Sequence, residues 1–434
     1  MKLRNNILCL CLLLLIVILT CTNAQDNNLP SELLEKLQAN PDIQIKETKV
    51  DLMFTQPIDH NHPEKGTFQQ LVHLLHKDFS KPVVLWIEGY ASRSNIEQEI
   101  TDLLDANQIM VEHRYFGESI PDSMDWKYLT IKQAADDHHR IVEAFKSIYH
   151  GKWVNSGISK GGQTTMYHRR FYPDDVDASV CYVAPLNFSD KEPRVYTFLN
   201  NVGDKECRDK ILNFQKTVLK KKAELLPSFK DYVREKEYTY KIGLDSAYEY
   251  CVLEYPFSFW QWHNLDCEDI PSVTASNDSI FDHLMKGSDA YFFSDKANDY
   301  FRSFFYQALT QTGFYGYDTQ PFKGLLTKVT NPDFTMALPE GVEVSYDPKP
   351  MQDIKNWIDE HGNNMIYIYG EIDPWSASAV ELSGKTNALK MVKKGGDHRT
   401  RIKSFPEDQK EKILNTLEEW LQVPLNRKAV ETEE

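Results

Sequence analysis

The sequence predicts an α/β fold, a mostly parallel sheet with helices between its strands, interrupted by an inserted and mostly helical domain. Short apolar or β-branched runs bounded by turn signals recur at 83–89, from 108 and from 153, the pattern of strands buried on both faces. Helical segments separate the later ones. From residue 188 the alternation stops, the chain becomes rich in charge and aromatics, and strand–helix alternation resumes only after 340. This divides the chain into a leader (1–24), a first core segment (25–187), a helical lid insertion (188–340) and a second core segment (341–434).

Each element has its own justification. The opening "MKLRNNILCLCLLLLIVILTCTNAQ" carries Lys2 and Arg4, an apolar run to Leu19, and Thr22 and Ala24 at the spacing of a signal-peptidase site. It reads as a cleaved export signal, which makes the product secreted or periplasmic, with no stable membrane insertion after cleavage. The rival reading is a membrane segment or a lipid anchor on Cys21. "KVDLMF" and "FQQLVHLL" flank the turn-rich "DHNHPEKG" as an antiparallel hairpin. "TIKQAADDHHRIVEAFKSIYHG" repeats Ile131, Ala135, His138, Val142, Phe145 and Tyr149 at three- and four-residue steps, an amphipathic helix ending at Gly151.

A second helix over "QTTMYHRRFYP" and the strand "DASVCYVAP" complete the first core segment. In the insertion, helices are expected around "KILNFQKTVLKKKAELLPSFKDYVREKE" and "NDYFRSFFYQALTQTG". The stripe "YPFSFWQWHN" reads as lid core, with some of it bordering a substrate channel as the alternative. The second core segment offers the helix "MQDIKNWIDEHG", the strands "MIYIYG" and "ALKMVKKGG", and a closing helix "PEDQKEKILNTLEEWLQ". A disordered tail, "KAVETEE", is expected after it.

Charge and cysteines narrow the function. The net charge is −15, and −17 once Lys2 and Arg4 leave with the leader, so the chain lacks the basic patch that nucleic acid requires. Of the four cysteines beyond the leader, Cys181 lies in an apolar run and reads as a buried free thiol. Cys207, Cys251 and Cys267 can supply one bridge of undetermined pairing. "DHNH" (59–62) and "DDHH" (136–139) look like metal ligands, but one is a hairpin turn and the other occupies consecutive helix positions that point apart, so no metal and no cofactor is expected.

The chemistry lies in "NSGISKGG". Gly157, Ser159 and Gly161 fit G-x-S-x-G, the sharp strand-to-helix elbow of α/β-hydrolases that lifts a serine hydroxyl above the sheet. Serine and glycine are also common in plain turns, so partners decide. The hydroxyl needs a histidine to take its proton, and the histidine needs a carboxylate to fix its tautomer. Asp373, just past "IYIYG", and His398, just past "KMVKKGG", follow in the order serine, acid, histidine, each after a later strand. Asp397 competes with Asp373 for the acid role. The oxyanion donors expected are the Lys160 amide, with the Lys160 side chain free to point elsewhere, and one amide from Gly89, Tyr90 or Ala91, of which Tyr90 is preferred.

"IEGY", "VEHRYFGES", "YLTIKQAADD", "GISKGG", "YQALTQTGFY", "GEIDPWSA" and "GGDH", spread from about residue 52 to 420, resemble the secreted bacterial prolyl tri/tetrapeptidyl aminopeptidases. They are similar also to the related lysosomal prolylcarboxypeptidase and dipeptidyl peptidase II. The resemblance implies an α/β-hydrolase core with a helical lid, a Ser159–Asp373–His398 triad, and release of short peptides after proline from peptide N-termini. Trp375 would wall the proline pocket. Dipeptidyl release and Pro-Xaa carboxypeptidase action are the nearest alternatives, and an esterase or an inactive peptide-binding fold the more distant ones. Lys160 stands where the lysosomal relatives have tyrosine, which favours the bacterial branch. Gln311 stands where relatives often have a glutamate that would hold the substrate amine. Glu88 is then the substitute anchor, or else a buried structural carboxylate paired with Arg114. Glu112 and Arg114 themselves read as a mutually compensating structural pair.

Overall fold

A computed structural model describes residues 29–46 and 51–431; the leader, with Cys21, lies outside them. The strands are β1 (Ile43–Ile45), β2 (Asp51–Pro57), β3 (Thr67–Leu75), β4 (Val83–Ile87), β5 (Asn107–Val111), β6 (Trp153–Ile158), β7 (Ala178–Tyr182), β8 (Met365–Gly370) and β9 (Leu389–Lys393). They form one nine-stranded sheet in the order β1-β2-β3-β5-β4-β6-β7-β8-β9. The pairings from β1 to β5 are antiparallel, and every pairing from β5 onward is parallel. The expected hairpin is β2–β3, with Asp51 opposite His73 and Pro57 opposite Thr67.

Helices cover both faces, which is why the central strands read as unbroken apolar runs. The helices of the first core segment are α1 (Ser31–Gln38), α2 (Glu99–Leu103), α3 (Ile131–Lys146) and α4 (Lys160–Phe171). Those of the insertion are α5 (Pro193–Leu199), α6 (Lys205–Lys220), α7 (Lys222–Glu235), α8 (Leu244–Trp262), α9 (Asn277–Gly287) and α10 (Asp295–Gln307). The chain closes with α11 (Lys349–His361) and α12 (Glu407–Leu421). Alternation along β4 assigns the two layers: Leu85 and Ile87 pack with Leu33 of α1 and Phe145 of α3, while Val84 and Trp86 pack with Ile100 of α2 and Leu414 of α12. The α/β-hydrolase fold follows from this doubly covered, mostly parallel sheet with a strand–Ser–helix turn at its centre.

Helices α5–α10 lie between β7 and β8 and share a core of their own. That core includes Phe214, Phe229, Tyr248, Tyr255 and Phe305, and it runs without a break into Ile372 and Trp375 beside β8 and Phe116 beyond β5. The lid and the ends of the strands are therefore one packed unit. Cys207 of α6 is joined to Cys267, with Cα atoms 5.3 Å apart, and Cys181 and Cys251 are buried free thiols.

Two expectations are corrected. Residues 428–431 of the expected tail are packed, because Val430 is buried in the α2–α12 layer and the preceding Asn426 N–H donates to the Leu103 carbonyl at 2.7 Å; the rest of the tail lies outside the described residues. Arg114 pairs with neither Glu88 nor Glu112. Its guanidinium forks onto Asp137 of α3 at 2.6 and 2.8 Å and donates to the Pro57, Ile58 and Tyr128 carbonyls. Glu112 instead accepts the Ser92, Glu118 and Ser119 backbone N–H groups and the Ser119 hydroxyl. A bidentate partner suits a planar guanidinium better than a neighbour in sequence does.

Candidate active site

Ser159 ends β6 and starts α4 with φ +55° and ψ −121°, a backbone conformation rare outside glycine. The turn is pinned by the Ser159 N–H donating to the Tyr182 carbonyl at 2.8 Å and by the Ser159 carbonyl accepting from Gln163 N–H at 2.9 Å. Close packing explains the glycines around it. A Cβ on Gly89 would lie 2.6 Å from atoms of Lys160 and Gly161, and one on Gly161 would strike the Ile87 carbonyl oxygen. The loop after β4 therefore lies directly against the elbow.

Asp373 follows β8 and His398 follows β9, so both leave the same carboxyl edge of the parallel sheet as Ser159. The buried Asp373 splits its two oxygens between two duties. Oδ2 lies 2.7 Å from His398 Nδ1, and Oδ1 accepts the Trp375 N–H at 3.1 Å, capping the turn Pro374–Ser378. A proton on Nδ1 shared with a carboxylate leaves Nε2 free as a base. Asp397, the competing acid, is engaged by its neighbour Arg399, whose N–H donates to it at 2.8 Å. The lid holds the histidine from above: the His398 N–H donates to the Gln261 carbonyl at 3.0 Å, and the Trp262 ring meets the imidazole edge-on at 5.7 Å.

Trp375 is buried in an aromatic nest of Phe257 (5.2 Å), Phe314 (5.5 Å) and Tyr315 (5.4 Å). Phe257 belongs to the "YPFSFWQWHN" stripe, which is the end of α8. The Phe257 and Tyr315 rings also line a lid cavity of about 330 Å³ with Tyr196, Leu253 and Trp260. Glu254, one turn before Ser258 on α8, is buried among these rings. It accepts the hydroxyls of Ser258 (2.8 Å), Tyr315 (2.9 Å) and Tyr317 (2.6 Å), and burial pushes its carboxyl up to about 7. Sequence reading missed it; the one signal was a carboxylate inside an aromatic stripe.

The Tyr90 ring packs edge-on to Phe116 (5.8 Å) and Phe301 (5.9 Å). The Lys160 side chain is not free to point elsewhere. It is buried, and Nζ donates to the Gly89 carbonyl at 2.7 Å. Glu88 accepts the Trp86 indole N–H at 3.0 Å, and burial raises its pKa. The Gln311 amide oxygen accepts the Ile131 N–H at 2.9 Å, at the first turn of α3. The hydrogen bonds of Glu88 and Gln311 thus run to the scaffold, not to the Asp373–His398 pair. At the two metal-like motifs, Asp59 takes Lys65 and Gln133, and Asp137 takes Arg114 and His60. Among the described residues no cluster of three or more metal-ligating side chains occurs, and no helix is long and apolar enough to cross a membrane.

Comparison with known proteins gives this geometry a family. The prolyl tri/tetrapeptidyl aminopeptidase of Streptomyces mobaraensis is 36% identical over 380 residues, covering 85% of this chain and 79% of that protein. The human lysosomal Pro-X carboxypeptidase is 27% identical over 164 residues, 33% of each chain. Among solved structures, proline iminopeptidase from Mycobacterium smegmatis aligns over 85% of this chain and 99% of that one, at 12% identity and a TM-score of 0.40. The peptidase S37 family, described as PS-10 peptidase S37, matches residues 43–432. With a match across nearly every described residue, the chain belongs to the S37 family and is a serine peptidase.

Proposed function

We propose that this protein is an exported, proline-specific aminopeptidase that releases tri- or tetrapeptides from peptide N-termini through a Ser159 acyl-enzyme. The observation that carries the reading is the buried Asp373–His398 pair at 2.7 Å, on the same sheet edge as a serine held at φ +55°. In this mechanism His398 Nε2 accepts the Ser159 proton as Oγ attacks the carbonyl carbon of a proline at P1. The backbone N–H groups of Tyr90 and Lys160 hold the oxyanion. Collapse breaks the peptide bond, the proton on Nε2 passes to the leaving amine, and water then releases the short peptide by the same route. The flat aromatic wall of Trp375 suits the apolar pyrrolidine ring, and the lid over the strand ends favours chain termini over folded proteins.

The 36% identity to an aminopeptidase supports cleavage from the amino end. Glu88, next to the oxyanion loop in sequence, is the proposed amine anchor, and Gln311 a second polar contact. Export rests on the leader and agrees with the Cys207–Cys267 disulfide, a bond that oxidising compartments preserve.

The test compares Ala-Ala-Pro linked to a chromophore with a free and with an acetylated amino terminus. Cleavage of the free form alone, abolished by Ser159→Ala, is the expected result. Equal cleavage of both forms overturns the aminopeptidase reading in favour of a proline-directed endopeptidase. Cleavage of neither overturns it in favour of carboxyl-terminal substrates or esters.

A further inference from the structure

Lys160 is the residue after the nucleophile, yet its side chain is buried and meets no carboxylate among the described residues. Its Nζ lies over the faces of Phe116 (5.2 Å) and Tyr90 (5.8 Å) and donates to one oxygen, the Gly89 carbonyl, at 2.7 Å. A buried lysine with one neutral acceptor is costly, so a mere filler would be met more cheaply by methionine. Nor does the position relieve a neighbouring charge. The nearby imidazole of His113 is held neutral by burial, with Lys160 itself pushing its pKa further down.

The value of the contact lies in what the Gly89 oxygen belongs to. The Gly89 carbonyl and the Tyr90 N–H are the two ends of one planar trans peptide unit and point in opposite directions. Fixing the oxygen aims the N–H. That N–H meets no acceptor among the described residues, as an oxyanion donor awaiting substrate should. The next two peptide units are also clamped: the Tyr90 carbonyl accepts from His113 N–H at 3.2 Å, and the Ser92 N–H donates to Glu112 at 2.8 Å. A hydrogen bond accepted by the carbonyl also polarises the same amide, which strengthens its N–H as a donor.

We propose that the Lys160 side chain is a positioning residue of the oxyanion hole, orienting and polarising the Gly89–Tyr90 peptide so that the Tyr90 N–H meets the negative charge formed at the attacked carbonyl. The inference rests on the serine-peptidase mechanism proposed above. Lys160 thus serves the same oxyanion twice, through its own N–H and through the peptide that its side chain holds. Burial, which lowers the lysine pKa well below the usual range, marks the low-dielectric setting in which such a contact acts most strongly.

The test uses Lys160→Met and Lys160→Gln in the full chain, with Ala-Ala-Pro-chromophore as substrate and a proline-ended peptidyl trifluoromethyl ketone as a mimic of the tetrahedral intermediate. Lys160→Met is expected to lower kcat by about 10- to 100-fold, less than complete removal of one oxyanion donor costs. KM should change little, and the ketone should bind weaker by the same factor. Lys160→Gln keeps a donor within range of Gly89 and should recover part of the loss; it also serves if the methionine variant does not fold, as judged by melting temperature. The proposal is overturned by a folded variant with kcat within threefold of the parent, by a loss confined to KM, or by a glutamine variant no faster than the methionine one. Fluorophosphonate labelling of Ser159 in the parent separates the two levels: an unlabelled parent sinks the peptidase mechanism and this proposal with it, whereas a labelled parent and an indifferent Lys160 sink only this proposal.

Discussion

His398 Nδ1 and Asp373 Oδ2 lie 2.7 Å apart in a pocket where the carboxylate is fully buried, and the other oxygen of the same carboxylate caps the turn that carries Trp375. One side chain thus fixes both the imidazole of His398 and the placement of the Trp375 ring. The Asp373 carboxylate uses both oxygens as acceptors, which is why an amide is no substitute. Asp373→Asn would present an NH₂ or a weaker acceptor to Nδ1 and stabilise the wrong imidazole tautomer. The expected loss in kcat is about 10³- to 10⁴-fold with little change in melting temperature. Retention of more than a tenth of the parent rate in steady-state assays would show that Asp373 is not the acid.

Trp375 makes a second, separable prediction. Its ring contacts Phe257, Phe314 and Tyr315, so its size and flatness set the width of the space beside the acid turn. Trp375→Leu keeps an apolar surface but loses the planar wall against which a pyrrolidine ring would stack. The ratio of kcat/KM for Ala-Ala-Pro over Ala-Ala-Ala chromogenic substrates should fall by about tenfold, the scale on which shape alone discriminates apolar groups. An unchanged ratio, with activity preserved, would place proline selection elsewhere.

What the sequence disclosed and what it hid divide along a physical line. Strands β4, β6, β7 and β8 are buried on both faces, so their apolar runs stand out, and Ser159, Asp373 and His398 sit where those runs and β9 break into turns. Local pattern carries that information. Contacts set by packing between distant segments do not appear in it. Arg114 has a carboxylate two residues away at Glu112, yet it pairs with Asp137, which α3 brings to it. Helix α8 escaped notice because both of its sides are buried, from Ala247 and Tyr248 to Phe259 and Trp260, leaving no polar face to mark a helical period. The Lys160 side chain read as free to point elsewhere because lysine is rarely buried, and only the loop folded over it makes it internal.

Glu254 of that same helix supports the last prediction, on stability against pH. Its carboxyl is raised from 4.5 to about 7 by burial, against three hydroxyl donors that pull the other way. The folded state therefore holds this proton more tightly than the unfolded chain does. The stabilisation it lends is complete below pH 4.5, falls as pH rises, and is gone once pH passes about 7. A shift of this size is worth roughly 3 kcal/mol across that window. Glu254→Gln keeps the shape and an acceptor for Tyr315 and Tyr317 but cannot ionise, so urea unfolding should find it more stable than the parent at pH 8 and close to it at pH 5. The difference between the two proteins isolates this one group from every other titrating residue. If the parent and the variant keep the same gap at both pH values, Glu254 is ionised in the fold throughout, and the three hydroxyls, not burial, decide its charge.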